Sequence, residues 1–211
     1  MSFILARKLK MTSIFDDQGG AVSVTVLEAG PCVITQVKEQ EKDGYTSVQV
    51  GFGESKKINK PMKGHLKDMK QFKVLREFRL ADLTEMKKGD EIKVDQFKKG
   101  DTVHVSGVSK GKGFAGVIKR HNFSRGPETH GSRHHREPGS IGSMFPQHVV
   151  KGRKLPGQLG NARNTIQNLE VVDVDIENNL VVIKGAIPGH YGNCVEIIHT
   201  ATGKQEQKNE N

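Results

Sequence analysis

Residues 109–164 decide how this chain is organised, and they read SKGKGFAGVIKRHNFSRGPETHGSRHHREPGSIGSMFPQHVVKGRKLPGQLGNARN. The stretch contains eleven Lys and Arg, ten Gly and five His, but only two acids, Glu128 and Glu137. Its excess of nine positive charges equals the formal net charge of the whole 211-residue protein. The other residues hold 22 bases and 22 acids, so they are neutral as a set. A neutral remainder with one cationic segment predicts a polyanionic partner for that segment.

The same stretch has very few large apolar residues, so it cannot bury enough apolar surface to offset its ordering entropy. We therefore expect it to become ordered on nucleic acid. Its only aromatic residues besides His are Phe114, Phe123 and Phe145, and the chain has no Trp. Because a reader of single strands stacks bases on aromatic rings, the composition favours phosphate and shape recognition of a folded RNA.

Short runs of alternating apolar residues flank this segment on both sides. Before it come FILARKLKMTSIF, AVSVTVLEA, PCVITQVKE, TSVQVGFGE and an alternating run from Phe72 to Leu80. Val22, Val24 and Val26 alternate along one face of the second run. After it come LEVVDVDIE and NLVVIKGAIPG, with a predicted hairpin turn at residues 177–179, and then NCVEIIHTA. Period-two alternation at near-regular spacing predicts a mainly β fold, a barrel or a sandwich.

These patterns predict a β body over residues 1–108 and 165–211, interrupted by an insertion over residues 109–164. Residues 56–73 are rich in Lys and predict only a short helical or irregular excursion, with most of the lysines solvated and a minority in contact with RNA. The tetrapeptide KKGD occurs at residues 87–90 and 98–101 and predicts a turn each time, followed by the β-type sequences EIKV and TVHV. Cys32 and Cys194 are expected to be reduced thiols because neither has a second Cys nearby.

The segment SKGKGFAGVIKR resembles the motif of the large-subunit ribosomal protein L3 family. That motif has a hydroxyl residue, a base between two glycines, a further glycine and an arginine. Ser109, the run 111–113, Gly116 and Arg120 supply them here. The resemblance extends through HNFSRGPETHGSRHHREPGSIG, KGRKLPGQLGN, the N-terminal ARKLKMTSIFDDQG and the later VVIKGAIPG.

The resemblance implies a translation-protein-type closed β-barrel with a long, basic, Gly-rich internal extension that has little regular structure. It also implies that this extension enters large-subunit rRNA, supports early subunit assembly and brings a tip, expected over residues 143–156, toward the peptidyl transferase region. One departure concerns the methylated glutamine that bacterial members can carry shortly after GSIG. Ser143 follows that motif here, and Gln147 does not match the pattern, so the modification is not transferred.

Three other kinds of site fit the segment less well. GKGFAG lacks the spacing of a nucleotide-binding loop. His130, His134 and His135 with Glu137 match no common zinc arrangement, and Arg133 and Arg136 would repel a cation, so no metal is expected. Ser140 and Ser143 have His148 near in sequence but no orienting acid, so no catalytic residue and no enzyme activity is predicted.

We therefore predict a structural, non-enzymatic constituent of the large ribosomal subunit in the cytoplasm, without a cofactor or a small-molecule substrate. Its expected partners are large-subunit rRNA and neighbouring ribosomal proteins. The alternative is a free RNA-binding assembly or translation factor on a similar barrel. No apolar run approaches the length of a membrane span, and the N-terminus lacks the pattern of a signal peptide. The residues expected to bind RNA are Lys110, Lys112, Lys119, Arg120, Arg125, Arg133, His134, His135, Arg136, Lys151, Arg153, Lys154, Gln158, Asn161 and Arg163.

Overall fold

The computed structural model describes residues 2–16, 19–67, 69–80 and 86–201. Within these ranges, strands make up most of the regular structure. The strands are β1 Phe3–Phe15, β2 Ala21–Ala29, β3 Cys32–Lys38, β4 Ser47–Glu54, β5 Phe72–Arg79, β6 Glu91–Ile92, β7 Thr102–Val108, β8 Phe114–Ala115, β9 Gly157–Gln158, β10 Arg163–Asp175, β11 Leu180–Lys184 and β12 Cys194–Ala201. The α-helices are α1 Gln40–Asp43, α2 Lys60–His65 and α3 Val117–His121, and a 3-10 turn covers Val94–Gln96. No helix in the described part of the chain is both long and apolar enough to span a bilayer.

Six strands form a closed ring in the order β1-β12-β7-β10-β11-β2, and every neighbouring pair is antiparallel. Inward residues of this ring, such as Leu5, Leu27, Val105, Ile183 and Ile197, are completely buried. Closure pairs every one of the six strands on both sides, so the ring has no free edge along the paired segments.

A second sheet has the order β5-β4-β3-β6 and shares one apolar core with the ring. Val48 and Val50 of β4 are fully buried in this core. Phe78 of β5 stacks on Phe3 of β1, with ring centroids 4.4 Å apart. The core therefore joins the two sheets into one packed body.

The predicted strands are confirmed at FILARKLKMTSIF, AVSVTVLEA, CVITQVK, SVQVGFGE and FKVLREFR, as is the turn at residues 176–179. The alternation within β2 is less regular than the sequence predicts. Val24, Thr25, Leu27 and Ala29 are buried, whereas Val22 and Val26 are only half-buried. A register shift in the β1–β2 ladder between Lys8 and Met11 accompanies this change of buried face.

Both KKGD tetrapeptides form turns, and the aspartate explains why. The backbone N–H of Lys87 donates to Asp90 Oδ2, and that of Lys98 donates to Asp101 Oδ2, each at 2.8 Å. The β-type sequence EIKV forms less strand than predicted, because strand β6 lasts only two residues before the 3-10 turn begins. Side-chain capping thus fixes both turns, while the length of the following strand depends on its available partner.

The chain divides into two compact units, residues 1–108 with 163–211, and residues 109–162. The sequence places the end of the cationic stretch at Asn164, but β10 begins at Arg163. Arg163 pairs with Val108 and Asn164 with Gly107 in the β7–β10 ladder. Val108 and Arg163 are therefore direct neighbours across one ladder, and they are the residues of the larger unit that flank residues 109–162.

Both cysteines are free thiols in the larger unit. Burial raises the pKa of Cys32 to about 12 and that of Cys194 to about 11. Cys32 also lies 3.5 Å from the backbone oxygen of Leu5. Because the thiolate is the reactive form, both side chains are unreactive at neutral pH.

Lys8 is a buried cation that holds a distant loop against β1. Its ammonium group donates to the backbone oxygens of Ile187 at 2.8 Å and Gly189 at 3.2 Å. Its backbone N–H donates to the Asn193 oxygen, and its carbonyl accepts from Gly192. One residue thus anchors both ends of the loop between β11 and β12.

We expect Lys8→Met to lower the free energy of unfolding by about 2 kcal/mol, because two carbonyl oxygens lose a charged donor. Urea denaturation monitored by circular dichroism measures the change. Lys10→Met is the matched control, since Lys10 lies exposed on the same strand and its replacement should change stability by less than about 0.5 kcal/mol. Equal effects for the two variants would contradict an anchoring role for Lys8.

Candidate nucleic-acid interface

The smaller unit begins and ends with two paired arms, residues 109–115 and 157–162. Lys112 N–H donates to the Leu159 oxygen and Leu159 N–H donates to the Gly113 oxygen, both at 2.9 Å. Ser109 N–H donates to Ala162, and β8 pairs with β9 through Phe114–Gln158 and Ala115–Gly157. Backbone hydrogen bonds therefore join arms that are about fifty residues apart in sequence.

Gly160 permits the closest approach of the two arms. Its φ of +72° lies in the left-handed region, and a Cβ added there would collide with the Lys110 carbonyl group. Gly113, on the other arm, also has a positive φ of +65°, but a Cβ there would meet nothing within 4 Å. An alanine would strain the backbone at either glycine, but only at Gly160 would its methyl group also collide with a neighbouring residue.

We predict that Gly160→Ala opens the arm pairing, because the methyl group displaces the Lys110 carbonyl as well as straining the backbone. The amides of Lys112 and Leu159 should then exchange with deuterium at least about tenfold faster, which corresponds to about 1.4 kcal/mol of lost protection. Gly113→Ala is the control, since it adds the strain without the collision. Identical exchange rates in both variants would mean that the close contact has no energetic importance.

Helix α3 follows β8 and fixes the returning arm. The Arg120 guanidinium donates through Nη1 to the Leu155 oxygen at 2.7 Å, and the His121 ring lies 3.2 Å from the same oxygen. A Cβ at Gly157 would lie 2.6 Å from Arg120 Nη1, so the guanidinium packs directly on the glycine backbone. The returning arm therefore lies beside α3 from Leu155 onward, and a tip over residues 143–156 would have to end before that residue.

The loop after α3 uses its two acids internally. Arg125 forms an ion pair with Glu128, and His134 Nδ1 lies 2.5 Å from Glu137. His135 donates its Nδ1 hydrogen to the Pro127 oxygen at 2.8 Å, and Gly126 N–H donates to the His135 oxygen at 3.0 Å. These contacts close a compact loop, and sequence analysis alone had no signal for them.

Residues 139–154 form a loop organised by bonds from side chains to the backbone. Arg153 donates to the Ser140 oxygen, Ser140 to Gly142, and Ser143 to Phe145. The apolar side chains here are largely solvent-exposed, 90% for Met144 and 84% for Phe145. Across the smaller unit only Ala115 and Val117 are buried hydrophobic residues.

The structure places the predicted RNA-binding residues in several different environments. Arg120 and His135 are half-buried and donate to backbone oxygens of the smaller unit. Arg125 and His134 contact acids of the smaller unit. Arg153 donates a hydrogen bond to the Ser140 oxygen. Arg163 lies in β10 of the larger unit, where it pairs with Glu196. Gln158 and Asn161 are exposed on the returning arm. The remaining cations are exposed and have no carboxylate partner in the described chain: Lys110, Lys112, Lys119, Arg133, Arg136, Lys151 and Lys154.

The geometry does not favour a metal site or a catalytic nucleophile. Among the described residues, no three His, Cys, Asp or Glu side chains gather where they could hold a metal ion. The Ser140 and Ser143 hydroxyls donate to carbonyl oxygens of their own loop. A hydroxyl used in this way is not paired with a general base, as a nucleophile would need to be. What the unit presents is a set of exposed cations on a glycine-rich backbone.

Comparison with known proteins agrees with this arrangement. The family model described as Ribosomal protein L3 matches residues 69–177. A protein of Carboxydothermus hydrogenoformans named large ribosomal subunit protein uL3 is 55% identical over 205 residues, which cover 95% of this chain and 98% of the relative. The protein of the same name from Heliobacterium modesticaldum is also 55% identical, over 88% of this chain and 90% of its own length.

The protein of Phaeodactylum tricornutum named large ribosomal subunit protein uL3c is 48% identical over 94% of this chain and 98% of the relative. The chain belongs to the ribosomal protein L3 family.

Proposed function

We propose that the chain is a structural, non-enzymatic constituent of the large ribosomal subunit, located in the ribosome in the cytoplasm, and that it binds large-subunit rRNA directly. Relatives that cover nearly all of the chain carry the name of a large-subunit protein. The observation that carries direct rRNA binding is the set of seven exposed cations in residues 109–162 that have no carboxylate partner in the described chain. Unneutralised cations on a coreless segment are suited to the phosphates of a folded RNA.

Each unit has its own part in this proposal. The six-stranded ring with its second sheet is the translation-protein-type barrel that the family resemblance implies, and it forms the body. Residues 109–162 form the extended rRNA-binding insertion, which supports early subunit assembly. Neighbouring large-subunit proteins are further partners. Base-independent phosphate contacts along the arms would fix the orientation of the insertion on the RNA.

Sedimentation tests the proposal against the alternative of a free assembly factor. The tagged protein should co-sediment with mature large subunits and remain bound through a high-salt wash. A structural constituent enclosed by RNA resists such a wash, whereas a surface-bound factor is released because its phosphate contacts weaken with salt. Release into the supernatant, with the protein found only on precursor particles, would favour the assembly factor.

The exposed apolar residues of the loop at residues 139–154 predict a role for this loop that is separate from the affinity supplied by the cations. We expect Phe145→Ala to leave incorporation into subunits nearly unchanged, because the cations that supply affinity remain. It should instead change the rate of peptide-bond formation, or the sensitivity to inhibitors of the peptidyl transferase centre, by about fivefold if one ring contact of about 1 kcal/mol is lost.

The readouts are quantitative sedimentation of subunits and a single-turnover peptide-transfer assay on purified particles. Phe114→Ala is the control, because Phe114 is similarly exposed but lies on the outgoing arm. If Phe145→Ala blocks incorporation while the assembled subunits keep normal activity, the separation of arm and loop roles is wrong.

A further inference from the structure

The larger unit, although its overall charge is small, is strongly polarised by one segment. Residues 56–73 contain seven Lys and a single acid, Asp68. The rest of the larger unit, which includes Arg163, has 16 Lys and Arg against 21 acids. We call residues 56–73 the lysine platform. Its excess of six positive charges lies in an otherwise acidic unit.

The described residues of the lysine platform, 56–67 and 69–73, form a folded element with defined anchors. Leu66 and Phe72 are buried, with 3% and 5% of their surfaces exposed. Lys63 N–H donates to the Asn59 oxygen and Leu66 N–H to the Met62 oxygen within and just after α2, both at 2.9 Å. Ser55 N–H also donates to the Gln71 oxygen at 2.9 Å, which ties the two ends of the platform together. The lysine stems therefore start from fixed backbone positions.

All seven lysines of the platform are exposed, and they are left largely unneutralised. Lys70 lies 3.5 Å from Glu54, and the other six have no carboxylate partner in the described part of the chain. Several other cations of this unit are paired with carboxylates, as in Arg7–Glu28, Lys38–Glu77 and Lys184–Glu170. The Lys38 pair raises the pKa of the lysine and lowers that of Glu77. A fixed cluster of unpaired cations costs electrostatic free energy that a polyanion would recover.

The chemistry of the platform favours RNA over an acidic protein. Its cations are all Lys, which bind phosphate as point charges without the planar geometry that Arg offers to carboxylates. Protein interfaces need a buried apolar or aromatic centre and are depleted in Lys. The platform's apolar residues are buried or half-buried, and its one aromatic ring, Phe72, is buried.

We propose that the lysine platform is a second rRNA-binding surface, carried by the larger unit, which contacts the phosphate backbone and contributes to affinity separately from residues 109–162. The proposal rests on the proposed function of the chain and adds a site to it. It gives the ring-bearing unit its own salt-dependent attachment to rRNA. The body would therefore bind RNA directly as well as carry the insertion.

Three full-length variants test this surface by measuring affinity for large-subunit rRNA between 50 and 300 mM salt. The first replaces Lys56, Lys57, Lys60, Lys63 and Lys67 with Gln. The control makes the same change of five charges at Lys87, Lys88, Lys93, Lys98 and Lys99. These lysines are equally exposed, but three acids, Asp90, Glu91 and Asp95, are interleaved with them. The third variant, Lys151→Gln with Lys154→Gln, reports on the insertion.

We expect the platform variant to bind about 100-fold more weakly at 0.1 M salt and to reduce the slope of log K against log salt by about three. The control should change affinity by less than about fivefold. If the platform variant matches the control while the insertion variant loses affinity, this inference fails and the proposed function stands. If neither variant loses affinity, direct rRNA binding itself fails. Loss of binding to a ribosomal protein, with unchanged rRNA affinity, would also overturn the assignment to RNA.

Discussion

Replacing all seven unpaired cations of residues 109–162 with Gln is expected to lower the affinity for large-subunit rRNA by about four orders of magnitude at 0.1 M salt. The seven are Lys110, Lys112, Lys119, Arg133, Arg136, Lys151 and Lys154. Each phosphate that these cations neutralise releases condensed counterions, so every lost contact lowers both the affinity and its salt dependence. The slope of log K against log salt should fall by about five if six of the seven contact phosphate.

Filter binding to a large-subunit rRNA transcript over a salt series measures both quantities. The matched control is Arg125→Gln with Glu128→Gln, which removes one internal ion pair and leaves the net charge unchanged. It should alter the slope by less than one. If the slope stays constant in the variant with seven substitutions, these side chains do not contact phosphate and the proposed interface is wrong.

Excising residues 109–162 is expected to leave the larger unit folded and to remove most of the rRNA affinity. Val108 and Arg163 are partners in the β7–β10 ladder, so the sequence Val108-Asn-Gly-Arg163 would create a two-residue hairpin loop. Asn-Gly is the favoured dipeptide for such a loop because both positions take a positive φ. The buried residues of the shared core lie entirely in the larger unit, so the excision removes none of them.

Chemical denaturation should show one cooperative transition, with a free energy of unfolding within about 2 kcal/mol of the complete protein. A second version with an eight-residue Gly-Ser loop is the control, and it should be only about 1 kcal/mol less stable because loop entropy grows slowly with length. The remaining rRNA affinity should depend on the lysine platform at residues 56–73. Loss of the cooperative transition in both versions would show that the larger unit needs the insertion to fold.

Much of the fold was accessible from local sequence, because strand alternation and turn chemistry act over a few residues. The five strand predictions before residue 81 were confirmed, and the two KKGD turns follow from an aspartate that caps its own turn. The buried face of β2 was not accessible, because it depends on a register shift in its neighbour β1. The short β6 likewise depends on its pairing with β3 at two positions only.

The candidate interface divides in the same way. Composition located the cationic segment and predicted its missing core, since both are properties of residue type. It did not separate Arg120, which holds the Leu155 oxygen, from Lys119, which is exposed on the same helix. Composition also could not show that Glu128 pairs with Arg125 and Glu137 with His134. Nor could it show that Arg163 pairs with Glu196 on another strand. Which cations remain unpaired depends on contacts that form only when the chain folds.

By itself, the sequence determined the strand-rich body, the concentration of charge in one glycine-rich segment and the family motif, because each is written in residue type and short-range order. Tertiary structure alone decided the closure of the ring, which pairs β1 with β12 and β2 with β11 across more than 150 residues. It also decided the meeting of Lys8 with the Ile187 oxygen and the ladder that sets Val108 beside Arg163. These contacts join residues far apart in the chain, and their loop-closure entropy is offset only by burial of the complete core, so no local pattern specifies them.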